Sequence, residues 1–396
     1  MQDSLWTKNF TMHLLAILFV AISFYFLLPL IPVIAVKQLG VDNSQAGYLI
    51  GVYSLSSLLI RPFAGYAVDS FGRKRIFLFS ICFFALFTFS YYLAATFISF
   101  LLLRLLHGLT WGVFNTSSAT IIADIVPPSR RGEGIGYFGL AMSLSMAVGP
   151  MFALWLAGDR HYDRLFIAAT IPAVFAFFAA STVKPPPLQF RRKGFKWKNF
   201  IEIRVIPICI VQFFIAFVFG GLISFVALYC EEINVADGGV FFLFYAIAMS
   251  FTRPFGGRVM DRSGPKIVVT LGILLLIGGY MLLWVTHGIT ILVMAALSLG
   301  LGYGLFLPAI QTMIIYMVEI NSRGVANSTF SATIDLGIGI GSIAMGWFAN
   351  ATSIGTMFFG SSLLHLVPLS FLLIYVLKDF NNNMIRDESP VLNTKT

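Results

Sequence analysis

Charge is what this chain has least of. Asp, Glu, Lys and Arg together make up 11% of its 396 residues, against roughly 25% in an ordinary soluble domain, while 58% are hydrophobic. A chain so composed is solvated by lipid. Cysteine is scarce as well: Cys82, Cys209 and Cys230 have no CxxC or Cys/His spacing, which argues against a disulfide framework and a zinc site and leaves them as packing residues. There is no paired-carboxylate, Ser/His or metal-spaced cluster at one membrane face, so no enzyme, no cofactor and no metal are expected. A net charge of +9 would suit nucleic acid only if Lys and Arg shared a solvated face, whereas here they sit in short loops between apolar runs. No cleavable leader is expected either, because the run from Thr11 to Val36 is too long for one and no small-x-small site closes it; it reads as the first span.

What is present is a series of apolar runs, each long enough at ~20 residues to cross a bilayer as a helix. They fall near 11–36, 44–67, 76–96, 98–123, 133–157 and 162–183, then near 203–229, 239–257, 267–286, 288–317, 325–350 and 355–377. They are too long and too uniformly apolar for barrel strands, so twelve transmembrane helices are expected in an all-α membrane protein. Lys and Arg concentrate on one side: Arg73, Lys74, Arg75, Arg130, Arg131, the stretch from Lys184 to Arg204, Arg258, Arg262, Lys266 and Arg323, against Lys37, Arg160 and Arg164 on the other. That asymmetry places both termini in the cytoplasm. The longest polar interruption, KPPPLQFRRKGFKWKNF at 184–200, reads as a basic linker, giving a six-helix bundle over 1–183, a linker over 184–202 and a second bundle with a short tail over 203–396. Its basic, aromatic character suits an anionic lipid surface.

The two halves repeat. Arg61, Pro62, Phe63, Gly65, Asp69, Gly72 and Lys74 recur as Arg253, Pro254, Phe255, Gly257, Asp261, Gly264 and Lys266, a constant offset of 192 residues. The same offset relates Gly112 to Gly304, Arg131 to Arg323, Gly132 to Gly324 and Gly149 to Gly341. Parallel six-helix repeats with a site between them are a transporter arrangement.

GYAVDSFGRKRIF at 65–77 resembles the GxLaDrxGrkxxl signature of the major facilitator superfamily, and the resemblance covers essentially the whole chain. It implies two pseudo-symmetric bundles and a conformational lock. Gly65 and Gly72 would allow a tight turn and close helix approach. Asp69 would meet the start of helix eleven near Val325, and Arg73, with Lys74 beside it, would pair with Asp124 at the end of helix four. The second copy keeps Asp261 and Gly264 but has Pro265 and Tyr316 where the first has Arg73 and Asp124, so its lock should be weaker or use Glu319. RLLHGLTWG at 104–112 resembles a segment whose arginine the family associates with proton coupling; Arg104 is expected to face a cavity or a partner, the alternative being that it snorkels outward. GIGYFGLAMSLSMAVGP at 134–150 matches the family's exporter motif in part, and its small residues Ala141, Ser145 and Gly149 are expected to pack closely on a neighbouring helix.

Coupling to a proton needs a titrating group inside the membrane. Helix one has no acid, and the one acid deep in an apolar run is Asp335; His107 and His365 are further candidates. Tyr25, Asn115, Gln212, Tyr303 and Gln311 are the cavity-lining candidates on helices one, four, seven and ten. The expectation is a monomeric exporter of the bacterial inner membrane, exchanging protons for a small amphipathic drug or metabolite. A proton-coupled importer of a sugar or organic acid is the alternative within the class, and a non-transporting membrane sensor or scaffold the alternative outside it.

Overall fold

A computed structural model describes residues 5–127, 131–157, 162–185, 201–233, 235, 238–318 and 323–384. Twelve long helices run through them: α1 Lys8–Leu39, α2 Asn43–Phe71, α3 Arg73–Ser90, α4 Phe97–Ile125, α5 Arg131–Ala157, α6 Tyr162–Thr182, α7 Ile206–Glu232, α8 Gly239–Ser263, α9 Pro265–Trp284, α10 Ile289–Tyr316 and α11 Arg323–Ala351, with α12 over Ile354–Asn383. No strand occurs among the described residues. Ten of the helices are long and apolar enough to cross a membrane, and Gly239–Thr252 of α8 forms a shorter apolar helix. The chain is an all-α, multi-pass membrane protein. Contacts divide it into two compact units, Met1–Phe195 and Lys196–Thr396; of the expected 184–202 linker, residues 186–200 lie outside the described ones.

Local sequence sets the helix ends. Thr7 caps α1 by accepting from the Phe10 amide at 3.2 Å, and the helix ends at Gly40, whose φ of 65° is the left-handed conformation that favours glycine. Asp42 and Gln45 form a reciprocal capping box at the start of α2, as Thr96 and Ser99 do for α4. Between α2 and α3 the chain turns at Gly72 with φ 102°, and between α8 and α9 at Gly264 with φ 76°, so one turn recurs at the 192-residue offset. Counting apolar residues ends helix two near 67, but the backbone continues to Phe71. Hydrogen bonding does not stop where charges begin, so Arg61 lies within α2, half-buried, and not at its end.

Each unit packs in the same pattern. α1 lies on α5, α2 on α4, and α3 on α4 and α6; correspondingly α7 lies on α11, α8 on α10, and α9 on α10 and α12. Backbone proximity at glycine explains the pairing. A Cβ at Gly108 would fall on the carbonyl of Tyr53 in α2, and one at Gly112 on that of Ser57; their counterparts Gly300 and Gly304 meet the carbonyls of Tyr245 and Met249 in α8. Gly149 of α5 sits on the Tyr25–Phe26 backbone, Gly341 of α11 on Phe217. Ser145, one turn before Gly149, donates to the Leu18 carbonyl of α1 at 3.0 Å, so the small residues of α5 do pack on a neighbour. Gly65 departs from its expectation, since a Cβ there would meet nothing within 4 Å among the described residues. Cys209 and Cys230 are buried as expected, but Cys82 is exposed.

Exposed aromatics obey the repeat too. Trp155 and Trp347, 71% and 57% exposed, end α5 and α11, and Tyr92 and Trp284, 46% and 43% exposed, end the α3 and α9 segments. Amphipathic rings at one end of each bundle suit the lipid–water boundary.

Two outcomes follow for stability. Gly108→Val should lower the melting point of the detergent-solubilised protein, at an overpacking cost of about 1–3 kcal/mol or more, whereas Gly278→Ala, whose nearest neighbour would be 3.9 Å away, should cost nothing. The Ser44 hydroxyl and then the Gln45 amide hold the Asp42 carboxyl below its ordinary range. Asp42→Ala should therefore cost about 0.5–1 kcal/mol at neutral pH, and the difference from wild type should fade as pH falls through that depressed value. Melts from neutral to acid pH test both points.

Candidate functional site

The motif after α2 builds a three-helix junction. Arg73, the first residue of α3, forms an ion pair with Asp124 near the end of α4, both side chains about four-fifths buried. Each stands at the wrong end of its helix for the macrodipole, a cation at an N-terminus and an acid at a C-terminus, so each needs the other. Lys74 donates to the Ser181 carbonyl at 2.6 Å, satisfying the C-terminal end of α6. Asn9 of α1 and Lys184 exchange two 3.0 Å bonds that tie the start of the linker to the first helix. The Asp69 and Asp261 side chains lie outside the described residues, as does Glu319; Tyr316 is half-buried.

Higher in the same bundle lies a second polar group. Arg104 is 1% exposed, so it does not snorkel. Its Nε donates to the Leu49 carbonyl of α2 at 2.8 Å, and the guanidinium carbon lies 4.1 Å from the Tyr53 ring centroid. Nη2 has no partner. The contact exists because Gly108 lets α2 and α4 close up. One turn along, His107 is fully buried between Thr88 and Tyr91, at 3.4 and 3.3 Å from their oxygens. From Tyr53 an aromatic stack continues through Phe24 to Trp111 and Phe114 and on to Phe77.

That stack ends at His13, a buried residue that counting apolar runs overlooked. Its Nε2 lies 3.1 Å from the Ser118 carbonyl, which can only accept, so this nitrogen carries the proton, and Nδ1 has no partner among the described residues. An ionisable side chain two residues into the first apolar run was the available signal; nothing in sequence marked Ser118 as its polar counterpart, or Tyr53, Thr88 and Tyr91 as those of Arg104 and His107.

The second unit carries no such charge in the equivalent place. Tyr303 and Tyr280 share a 3.2 Å hydroxyl bond, with Phe219 and Tyr245 rings against Tyr303. His365 donates from Nδ1 to the Ser361 carbonyl at 2.7 Å and stacks on Tyr280. Asp335 is half-buried on α11. Of the five cavity candidates, Gln212 and Tyr303 are buried, Tyr25 and Asn115 are half-buried, and Gln311 is exposed.

Known proteins bear on this arrangement. The model of the Major Facilitator Superfamily matches residues 14–241 and 208–388. The chain belongs to that superfamily, and its fold and motif junction are those of a transmembrane transporter. It is 25% identical to multidrug resistance protein 1 of Bacillus subtilis, over 86% of this chain and 90% of that one. It is 22% identical to the staphylopine export protein of Staphylococcus aureus, over 85% and 88%. Among solved structures it superposes on the human organic anion transporter MFSD10 with a TM-score of 0.72 at 19% identity, covering 92% of this chain and 99% of that one.

The Arg73–Asp124 pair has a direct test. Replacing either residue alone by Ala should cost about 1.5–3 kcal/mol. The exchanged pair Arg73→Asp with Asp124→Arg, which puts each charge at its favoured helix end, should melt at or above wild type. An exchanged pair no more stable than the single variants would refute the ion pair.

Proposed function

We propose that this protein is a proton-coupled exporter of a small amphipathic compound in a bacterial plasma membrane, with both termini in the cytoplasm. Transport proceeds by alternating access, in which the protein opens to each side of the membrane in turn. The observation that carries transport is the duplicated bundle with its motif junction at Arg73, Lys74 and Asp124. The outward direction is supported by relatives named for export and multidrug resistance.

In this reading the motif is the lock. Gly72 sets the turn, and the ion pair and the Lys74 contact stiffen the junction. Asp261 and Gly264 form a weaker counterpart. Asp335 carries the coupling proton, because an acid in an apolar helix gains from neutralisation on desolvation, and proton and substrate then compete for one carboxylate. A proton moving down the membrane potential supplies ~2.3 kcal/mol per 100 mV. Arg104 is the fixed positive charge of the first bundle. Tyr25, Asn115 and Gln311 present polar or aromatic surface to substrate, and lipid is the remaining partner.

Everted vesicles, whose lumen is acidified by respiration, should accumulate at least one compound from a panel of amphipathic cations, zwitterions and neutral molecules. Asp335→Asn should abolish the proton-driven part while leaving counterflow exchange. Intact accumulation in Asp335→Asn would remove Asp335 from coupling, and uptake by whole cells with none by everted vesicles would establish import instead.

A further inference from the structure

We infer that His13 is a positioning residue for the motif junction: its ring, carried by α1 and packed on α3, pins one carbonyl of α4 and so sets the height at which Asp124 meets Arg73. The consequence for transport rests on the reading of that junction as a lock; the structural part does not. His13 is fully buried. Its Nε2 proton points at α4, where the Ser118 carbonyl is 3.1 Å away and the Ser118 hydroxyl 3.2 Å. A backbone carbonyl has two lone pairs and its helix bond uses one, so the second is open to the ring. On the α3 side the imidazole lies against Phe77, with ring centroids 5.0 Å apart, and Phe77 stacks in turn on Phe114 of α4.

These contacts stand close beneath the ion pair. Phe77 is one helical turn beyond Arg73, and Ser118 lies six residues before Asp124, ~9 Å along the helix at about 1.5 Å per residue. The same ring therefore touches both helices that carry the pair. Phe10 also joins α1 to α4, packing with Ile122 and Val126. Apolar burial of that kind resists separation but has no preferred direction, so it lets one helix slide or turn on the other. A hydrogen bond to one particular carbonyl does not. The pair above needs that precision, because each of its charges sits at the helix end that disfavours it and is costly to bury unmatched.

The duplication supplies a control. At the 192-residue offset Arg73 and Asp124 become Pro265 and Tyr316, while His13, Phe77 and Ser118 become Val205, Val269 and Ile310. Those three aliphatic residues are fully buried, so the equivalent places are filled without a polar group. The glycine contacts of the helices are common to both bundles. The imidazole thus goes with the ion pair and not with the fold.

Melting of the full-length protein in detergent decides it. Asp124→Ala should lower the melting point by its full amount in wild type and in His13→Gln, whose amide can donate to the same carbonyl. In His13→Leu, where the pair is already loosened, the same substitution should lower it by about half that amount or less. Equal shifts in all three backgrounds would overturn the inference, since a residue that only packs, ~9 Å from the pair, gives losses that add. A second measurement needs no disruptive variant. In lipid nanodiscs at neutral pH with 15N-labelled histidine, the His13 signal, identified by its loss in His13→Gln, should show a slowly exchanging proton on Nε2. A ring whose only proton is on Nδ1 would overturn the pin. Transport separates this role from the lock: a fall in His13→Leu that His13→Gln restores supports both, whereas a lost dependence on Asp124 with transport unchanged would sink the lock and leave the positioning role standing.

Discussion

Helices already in lipid gain little from the hydrophobic effect by associating, because lipid tails are as apolar as the side chains they replace. Association then depends on how closely backbones approach, and in this protein that is decided at glycine. Gly108 and Gly112 seat α4 on α2, and Gly149 seats α5 on α1; Gly300, Gly304 and Gly341 do the same in the second unit. Everything polar inside the bundles follows from those contacts. Arg104 reaches the Leu49 carbonyl because α2 is near enough, and Ser145 reaches Leu18 for the same reason.

Charge in such an interior is tolerated only when its surroundings answer it, and the two bundles answer differently. The first holds a guanidinium against an aromatic face and a backbone carbonyl. The second fills the same region with neutral phenols at Tyr245, Tyr280 and Tyr303. Duplication therefore preserved the scaffold and let the chemistry diverge. At the motif junction the argument is similar, since Arg73 and Asp124 occupy helix ends that would repel each alone and are stable only as a pair.

Much of this was legible in the residues. Apolar runs marked the helices, because a backbone in lipid must satisfy its own hydrogen bonds. The 192-residue offset marked the duplication and located the glycines before any contact was seen. The Arg73–Asp124 pair was reached through resemblance and is present in the fold. Other features were not legible. Helix two ran past its apolar stretch and enclosed Arg61, since hydropathy registers side chains and not backbone bonding. Tyr303 and Gln212, chosen for polarity on helices ten and seven, are buried while Gln311 is exposed, because membership of a helix does not say which way a side chain turns. His13 went unmarked so near the start of the first run.

The sequence by itself determined the class: an all-α membrane protein of two repeated six-helix halves, with a basic turn after the second helix of each. Periodicity, length and repetition are local or one-dimensional properties, and they survive without coordinates. Tertiary structure alone decided which polar groups meet. Thr88 of α3 and Tyr91 just beyond it meet His107 of α4, the Thr88 proton goes to the Phe84 carbonyl, and Arg104 meets the Leu49 carbonyl of α2. Hydrogen-bond polarity is set by angle and distance between groups far apart in the chain, and no spacing in the sequence encodes it.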